Sequence, residues 1–220
     1  MFANQYISSE IFSLKKSDNA ESALIFMSDW KVKELPVVDN LKVLGFVNEI
    51  SLLQNMEKKV DEIMQLDMAH YCIHEHKHVY EIWQRMCQYH LTSLAVINSE
   101  GLYKGVISSQ DIAQQSFSNS AIMQEGSLIV LEISAIQFSL AEIARICESN
   151  DAKIIHLMVE TLKDEANTLH VSIKLNKLFL SHVIASLDRF GYKIIFTNSA
   201  LDPNQSMDDR FSWLLKYLNT

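Results

Sequence analysis

Several features that would restrict the fold or function of this chain are scarce. It has five glycines and two prolines in 220 residues, so long flexible linkers and disordered segments are not expected. Its three cysteines, Cys72, Cys87 and Cys147, are an odd number without close spacing. This number and spacing fit neither a disulfide framework nor a cysteine-based zinc site. We expect these cysteines to be ordinary small apolar residues.

Long apolar runs and an excess of basic residues are missing as well. No run approaches the roughly 18 residues of a membrane span, and the first residues lack the basic and apolar segments of a signal peptide. We therefore expect a soluble, cytoplasmic protein that does not interact with membranes. The net charge of −8 argues against nucleic acid as a partner, because that binding needs clustered Lys and Arg to neutralise phosphates.

One stretch of the chain occurs twice, about sixty residues apart. At an offset of 59 residues, Leu35–Asp39 aligns with Leu94–Asn98, and Met27 aligns with Met86. Each copy has the hydrophobic periodicity of a strand, a helix, two strands and a second helix. The first strand is predicted around Ile11–Leu14 in the first copy and about Ala69–Ile73 in the second, and the second helix of the first copy at about Glu49–Met56. Because internal repeats determine architecture, we expect two similar units in the first half of the chain.

The second copy ends in a polar motif, Gly105-Val106-Ile107-Ser108-Ser109-Gln110-Asp111. The pattern predicts a strand that passes into a helix, with Ser108 as the N-cap. On the first turn of that helix the Asp111 carboxylate points the same way as the Ser108 hydroxyl. A carboxylate can accept from a vicinal diol, and the free N–H groups of a helix start suit a phosphate.

These two copies resemble a tandem pair of CBS (cystathionine-β-synthase) domains, over roughly residues 1–118. The resemblance implies two β-α-β-β-α repeats, residues 1–57 and 58–120, related by a pseudo-twofold axis. It also implies clefts that bind an adenosine nucleotide, such as AMP, ADP, ATP or S-adenosylmethionine, and that regulate something else.

In the second cleft the resemblance assigns the ribose hydroxyls to Asp111, and the ribose or phosphate to Ser108. Backbone near Met68-Ala69 and Ser93-Leu94 would border the adenine. Lys104, which precedes Gly105, would contact a phosphate.

The first copy departs from this pattern. With one residue inserted before this point in the second copy, Asn48 and Ser51 stand where the second copy has Ser108 and Asp111, so the ribose-binding acid is missing. Charge-assisted hydrogen bonds contribute roughly 1.5–3 kcal/mol against about 1 kcal/mol for neutral ones. Losing one would weaken a nucleotide about tenfold or more, so we expect the first cleft to be empty or altered.

Residues 126–200 have a different periodicity, which predicts the order β-α-β-β-α-β of a ferredoxin-like domain. The predicted first helix, Ser139–Glu148, resembles that of an ACT domain, a regulatory module that often binds amino acids. ACT domains that bind amino acids usually carry a glycine before this helix, where this chain has Phe138. We therefore expect a dimerising or packing module, with amino-acid sensing as the alternative.

Residues 201–220 are predicted to end the chain with a helix. Its apolar stripe must be buried against its own sheet or against a second chain; the residues of the stripe are Phe211, Leu214, Leu215 and Leu218.

A run of histidines, His74, His76 and His78, is the most metal-like feature of the sequence. On an extended strand the three imidazoles would share a face, as in a catalytic zinc site. The repeat instead aligns the run with Lys15–Asn19, a connecting loop, so we expect no metal.

The function that we expect is regulatory rather than catalytic, because the sequence contains no nucleophile–base constellation, phosphate-binding loop or metal motif. The overall prediction is an α+β protein without a cofactor: two CBS repeats followed by an ACT-like domain. It would act as a homodimeric adenosine-nucleotide sensor with a protein partner that the sequence does not identify. Two alternatives are a dimeric interaction protein with degenerate sites and an amino-acid sensor.

Overall fold

The helices and strands of the chain fall into two compact units, residues 1–118 and 119–220. The computed structural model describes residues 1–67, 69–118, 120–162 and 165–200, with only the backbone at 165 and 166. The predicted C-terminal helix and the predicted adenine contact Met68 therefore lie outside the described residues.

The first unit contains both predicted repeats. Helix α1 (Ala20–Trp30), strands β1 (Glu34–Asp39) and β2 (Lys42–Asn48), and helix α2 (Glu49–Leu53) form the first. The second comprises α3 (Val60–Ile63), β3 (Cys72–His74), α4 (Val79–Tyr89), β4 (Ser93–Ile97), β5 (Tyr103–Ser108) and α5 (Ser109–Ser118). The predicted order of elements is confirmed, apart from the opening strand of the first repeat and the short helix α3, which was not predicted.

That opening strand, predicted around residues 11–14, is reduced to a single bridge between Leu14 and Val37. The chain turns away at once, because the Lys15 N–H donates to the side chain of Asp18 at 2.8 Å. The matching strand β3 begins at Cys72 instead of Ala69, because Ala69 donates to the Asp67 side chain in a turn. Helix α2 ends at Leu53 instead of about Met56.

The strands of each repeat pair in the same way. Strands β1 and β2 form an antiparallel hairpin, and Leu14 lies parallel beside it. In the second repeat β3 is parallel to β4, and β4 is antiparallel to β5. Both long helices end in a left-handed residue at equivalent positions, Lys31 with φ 54° and His90 with φ 53°.

The first residues of each repeat, which we call its leading segment, pair with the other repeat. Residues 1–4 bond to the loop before α4, and residues 58–61 bond to the equivalent loop before α1. These contacts are equivalent in the two halves. The Ala3 N–H donates to Lys77 O at 2.9 Å, and the Val60 N–H donates to Asp18 O at 2.9 Å. Likewise, the Val79 N–H donates to Met1 O at 3.1 Å, and the Ala20 N–H donates to Lys58 O at 3.2 Å.

This exchange extends into the apolar cores. Val60, at the start of the second repeat, is buried among first-repeat residues such as Leu14, Ala23 and Leu52. Ala3 is buried among second-repeat residues around Ile82. Because full burial of a valine contributes about 1.5–3 kcal/mol, the two leading segments tie the repeats into one folding unit.

The second unit is a four-stranded antiparallel sheet with two helices. Its elements are β6 (Ser127–Ser134), α6 (Leu140–Glu148), β7 (Ile154–Leu162), β8 (Glu165–Leu175), α7 (Ser181–Arg189) and β9 (Lys193–Thr197). The strand order β7-β8-β6-β9 confirms the predicted ferredoxin-like topology.

Both helices of this unit cover the same face of the sheet. Alternate residues of β6 and β8, such as Leu131 and Val171, are buried against Ile143 of α6 and Leu187 of α7. The residues between them lie on the opposite face, as the predicted alternation requires. Within the described parts of the chain, no helix is long and apolar enough to cross a membrane.

Candidate functional site

Ser108 and Asp111 are brought together at the start of α5. The Asp111 N–H donates to Ser108 Oγ at 3.0 Å, which is the bond that an N-cap makes. The Ser108 hydroxyl in turn donates to Asp111 Oδ2 at 2.8 Å. Ser108 is only 3% exposed, whereas Asp111 is half-buried. Among the described residues nothing donates to Asp111 Oδ1, so this oxygen can accept from a ligand.

Ser93 lies directly opposite Ser108 across the β4–β5 ladder, so the two side chains share a face of the sheet. The Ser109 N–H donates to Thr92 O at 2.8 Å, which holds the start of β4 against the start of α5. The predicted contacts Ser93, Ser108 and Asp111 therefore form one polar cluster.

A carboxylate of the first repeat completes this cluster. Glu34 is 5% exposed, and its Oε1 accepts from the N–H groups of Thr92 and Ser93 and from the Thr92 hydroxyl at 2.9 Å. The Ser93 hydroxyl donates back to the Glu34 carbonyl at 2.6 Å. Burial raises the pKa of Glu34, and the bonds from Ser93 and Thr92 offset only part of that effect.

The equivalent position of the first repeat has a neutral pair. Asn48 caps α2 by accepting from the Ser51 N–H at 2.8 Å, and the Ser51 hydroxyl donates to Asn48 O at 2.9 Å. The capping bond matches the one between Asp111 and Ser108, but neither Asn48 nor Ser51 carries a carboxylate. A ribose at this position would lose its charge-assisted acceptor.

The segment before β3 lies beside the polar cluster. The Tyr71 ring stacks on Phe46 of the first repeat with centroids 4.7 Å apart. Burial raises the pKa of Tyr71, and the negative charges of Glu34 and Asp67 raise it further. The segment that carries Tyr71 is thereby placed near Glu34 at the junction of the two repeats.

Arg85 of α4 holds this segment in place. Its guanidinium donates to the carbonyls of Ala69 and Cys72. Burial raises the pKa of the Cys72 thiol to about 11, with Arg85 opposing the change. A thiol with so high a pKa stays protonated and is not a nucleophile. Ala69 is exposed, so its backbone is accessible to a ligand.

Two predicted contacts are not brought to the Ser108–Asp111 pair by their side chains. Leu94 is fully buried in the core of the second repeat, so only its backbone can border a ligand. Lys104 is exposed near the start of β5, and Ser108 is the last residue of that strand. Four residues of extended strand separate them by about 13 Å.

The histidine run does not converge on a metal site. Across the described residues, no cluster of His, Cys, Asp or Glu side chains could hold a metal ion. His78 caps α4 instead, because its Nδ1 accepts from the Tyr80 N–H at 3.3 Å. The predicted connecting loop is shorter than the run, because His74 is the last residue of β3 and only residues 75–78 connect that strand to α4.

Sequence reasoning missed Glu34, Thr92 and Arg85. The repeat alignment contained a signal for two of them, because Glu34 aligns with Ser93 and Arg85 aligns with Phe26 at the offset of 59. A charge at only one of two equivalent positions marks a place where the repeats differ in chemistry.

Part of the first unit matches the sequence model of a known family. The sequence model of the CBS domain family matches residues 3–58 of the chain. A curated relative, the inosine-5′-monophosphate dehydrogenase of Methanocaldococcus jannaschii, is 24% identical over 132 residues. The match covers 58% of this chain but spans only about a quarter, 26%, of that enzyme's length.

Solved structures to which parts of the chain are similar include CBS-pair proteins. A CBS domain pair/ACT domain protein of Thermotoga maritima is 19% identical, with a TM-score of 0.46 over 54% of this chain and 98% of that one. CBSX2 of Arabidopsis thaliana, solved with AMP, is 16% identical, with a TM-score of 0.46 over 53% and 96%.

A third similar structure is the CBS domain pair of protein MJ0100, solved in complex with 5′-methylthioadenosine and S-adenosyl-L-methionine. It is 18% identical to this chain, with a TM-score of 0.46 over 55% of this chain and 98% of that one.

Proposed function

We propose that this protein is a non-catalytic regulatory sensor that binds an adenosine nucleotide in the second repeat. The observation that carries the proposal is the Ser108–Asp111 pair at the start of α5, joined by bonds of 2.8 and 3.0 Å. This pair presents a carboxylate oxygen at a helix N-terminus. The first repeat has the same capping bond without the acid.

Each group in this site has a defined role in the proposal. Asp111 accepts from the paired ribose hydroxyls through its unoccupied Oδ1. Ser108 turns from Asp111 toward the ribose or a phosphate, while backbone at Ala69 and Ser93 borders the adenine. Lys104 contacts a phosphate only in a long ligand such as ATP, because of its distance from Ser108.

The overall charge of −8 does not prevent an anionic ligand from binding. Charges on the protein surface are screened over about 8 Å at physiological ionic strength. The N–H groups at the start of α5 act within that distance and favour a phosphate. Asp111 opposes a phosphate close to it, so its partner is the ribose.

Thermal unfolding with each nucleotide tests the proposal. The probes are AMP, ADP, ATP, 5′-methylthioadenosine and S-adenosylmethionine, each titrated to saturation. A ligand at 100 times its Kd adds about 2.7 kcal/mol to the free energy of unfolding. We expect at least one probe to stabilise the wild type in this way.

The matched variants are Asp111→Ala and Ser51→Ala, which change equivalent positions of the two repeats. We expect Asp111→Ala to lower affinity about tenfold or more, and Ser51→Ala to leave it unchanged. Equal binding by the wild type and Asp111→Ala would reject the site, and a blank screen would reject nucleotide sensing. If ATP is the ligand, Lys104→Ala should weaken ATP and not AMP.

A second candidate is a dimeric interaction protein that binds no small molecule. It is favoured by the neutral Asn48–Ser51 pair, and by Phe138, which packs on the apolar core of the second unit where amino-acid sensors usually carry glycine. A blank nucleotide screen together with self-association would support it. Stabilisation by a free amino acid would instead point to sensing through the ACT-like unit.

A further inference from the structure

The face of the second unit's sheet that lies opposite α6 and α7 has a regular pattern of side chains. We call it the open sheet face. Strand register places its residues in rows across β7, β8, β6 and β9, in that order. The charged row consists of Glu160, His170, Glu132 and Lys193. The adjacent row is mainly apolar and consists of Met158, Ser172, Val130 and Phe196.

The charged row is connected along the sheet. Lys193 Nζ lies 2.6 Å from Glu132 Oε1, and His170 Nε2 lies 3.8 Å from Glu132 Oε2. The Lys193 bond lowers the pKa of Glu132, so this carboxylate stays charged at neutral pH. Glu160, at the far end of the row, is exposed. The row therefore runs negative, histidine, negative, positive.

The apolar row has large side chains exposed to solvent. Met158 is 45% exposed at one edge and Phe196 is 44% exposed at the other. Exposed apolar side chains on one face of a sheet favour burial against another surface. The order of charges in one row and of apolar residues in the other is complementary to the same face of a second copy.

We propose that the open sheet face is a homodimer interface, in which two copies stack face to face about a twofold axis parallel to the strands, between β8 and β6. This axis reverses the strand order and keeps each row opposite itself. Glu160 then faces Lys193 of the second copy, and His170 faces Glu132. In the adjacent row, Met158 faces Phe196 of the second copy, and each such pair occurs twice.

The other way to stack two copies of this face gives poorer pairs. A twofold axis across the strands would place β7 on β7 and β9 on β9. If that axis passes through the charged row, Glu160 meets Glu160 and Lys193 meets Lys193, which is unfavourable. The axis parallel to the strands therefore gives the charge complementarity of an isologous dimer.

Two stacked four-stranded sheets are at the lower end of interface sizes, so we expect a weak dimer that dissociates on dilution. The proposal goes beyond nucleotide sensing and holds whether or not the second repeat binds a ligand. It applies to the full-length chain, which is the form to be tested.

Charge reversal at two distant positions tests the pairing. Glu160 and Lys193 lie on opposite edge strands, about 14 Å apart within one copy, which exceeds the screening length of about 8 Å. Sedimentation velocity would measure Kd for the wild type, Lys193→Glu, Glu160→Lys and the double variant. We expect each single change to raise Kd about tenfold or more, and the double variant to return it to within about threefold of the wild type.

The control is Arg189→Glu, the same change of charge on α7, which covers the other face of the sheet. We expect it to leave Kd unchanged, and circular dichroism would establish that all variants fold. Failure of the double variant to restore association would overturn the proposal, as would a dimer that Lys193→Glu leaves intact. A monomeric wild type would overturn it too, including one in which residues 201–220 cover the face.

Discussion

At the scale of single residues, the feature with the clearest energetic consequence is Glu34. Its carboxylate is buried between the two repeats and satisfies two backbone N–H groups of the start of β4. A buried ionised acid is costly even with good partners, and burial raises the pKa of Glu34 for this reason. Stability must therefore depend on the protonation of this residue.

The expected pH dependence follows from the direction of that shift. A carboxyl with a raised pKa stabilises the fold fully below its ordinary value of 4.5 and loses that contribution as pH rises through the raised value. Glu34→Gln keeps an oxygen acceptor and has no charge. We expect the stability of the wild type relative to Glu34→Gln to fall as pH rises above about 4.5, measured by urea denaturation.

Glu34→Ala is the matching control for the hydrogen bonds. Compared with Glu34→Gln, it leaves the N–H groups of Thr92 and Ser93 without their acceptor, at a cost of about 1–3 kcal/mol. We expect this difference between the two variants at every pH, because neither has a carboxyl at position 34. A constant difference between wild type and Glu34→Gln across the range would contradict the role given to the charge.

At the scale of elements, close approach of one backbone segment to another limits which residue types a strand can contain. A Cβ at Gly45 in β2 would lie 2.5 Å from the Gln65 carbonyl oxygen. Phe46 and Gln65 exchange two backbone hydrogen bonds there, at 2.9 and 2.7 Å. The first repeat is therefore joined to the chain just after α3 by a contact that admits only glycine.

We expect Gly45→Ala to destabilise the first unit by about 1–3 kcal/mol, because the added methyl group must displace backbone. Amide exchange at Phe46 and Gln65, measured by NMR, should become faster. Gly101→Ala is the control, since a Cβ there meets nothing within 4 Å. Its positive φ gives it a cost of about 1 kcal/mol, but exchange at Phe46 should not change; equal exchange in both variants would contradict this account.

The strands and helices show what local sequence can and cannot predict. The hairpin of β4 and β5 and the cap at Ser108 were predictable, because periodicity and capping are properties of neighbouring residues. The single-residue pairing at Leu14 was not, because it depends on the turn that Asp18 makes with Lys15. Glu34 was missed because its partners are 58 and 59 residues away and appear only in the folded unit.

At the scale of the whole molecule, each apolar core belongs to one unit. The cores around Leu14 and around Ile82 consist of residues from 1–118, and the core around Leu131 consists of residues after 119. The proposed nucleotide site is contained in the first of these units. Ligand binding should therefore stabilise the two units unequally.

Hydrogen–deuterium exchange in the presence of a bound nucleotide would measure that difference. We expect added protection at the start of α5 and in β4, and little change in β6 to β9. The site of protection is informative even if the affinity is low, because mass spectrometry reports each peptide separately. Protection centred on the second unit would contradict a nucleotide site at Ser108 and Asp111.

The leading segments that pair across the first unit also explain why its first half persists without an acidic residue at Ser51. Ala3 belongs to the apolar interior of the neighbouring repeat, and Val60 belongs to that of the first. Mutation can erase the binding chemistry of one half, but deletion of that half would remove a piece of the other. The two repeats can therefore diverge in sequence, but neither can be removed without disrupting the apolar core of the other.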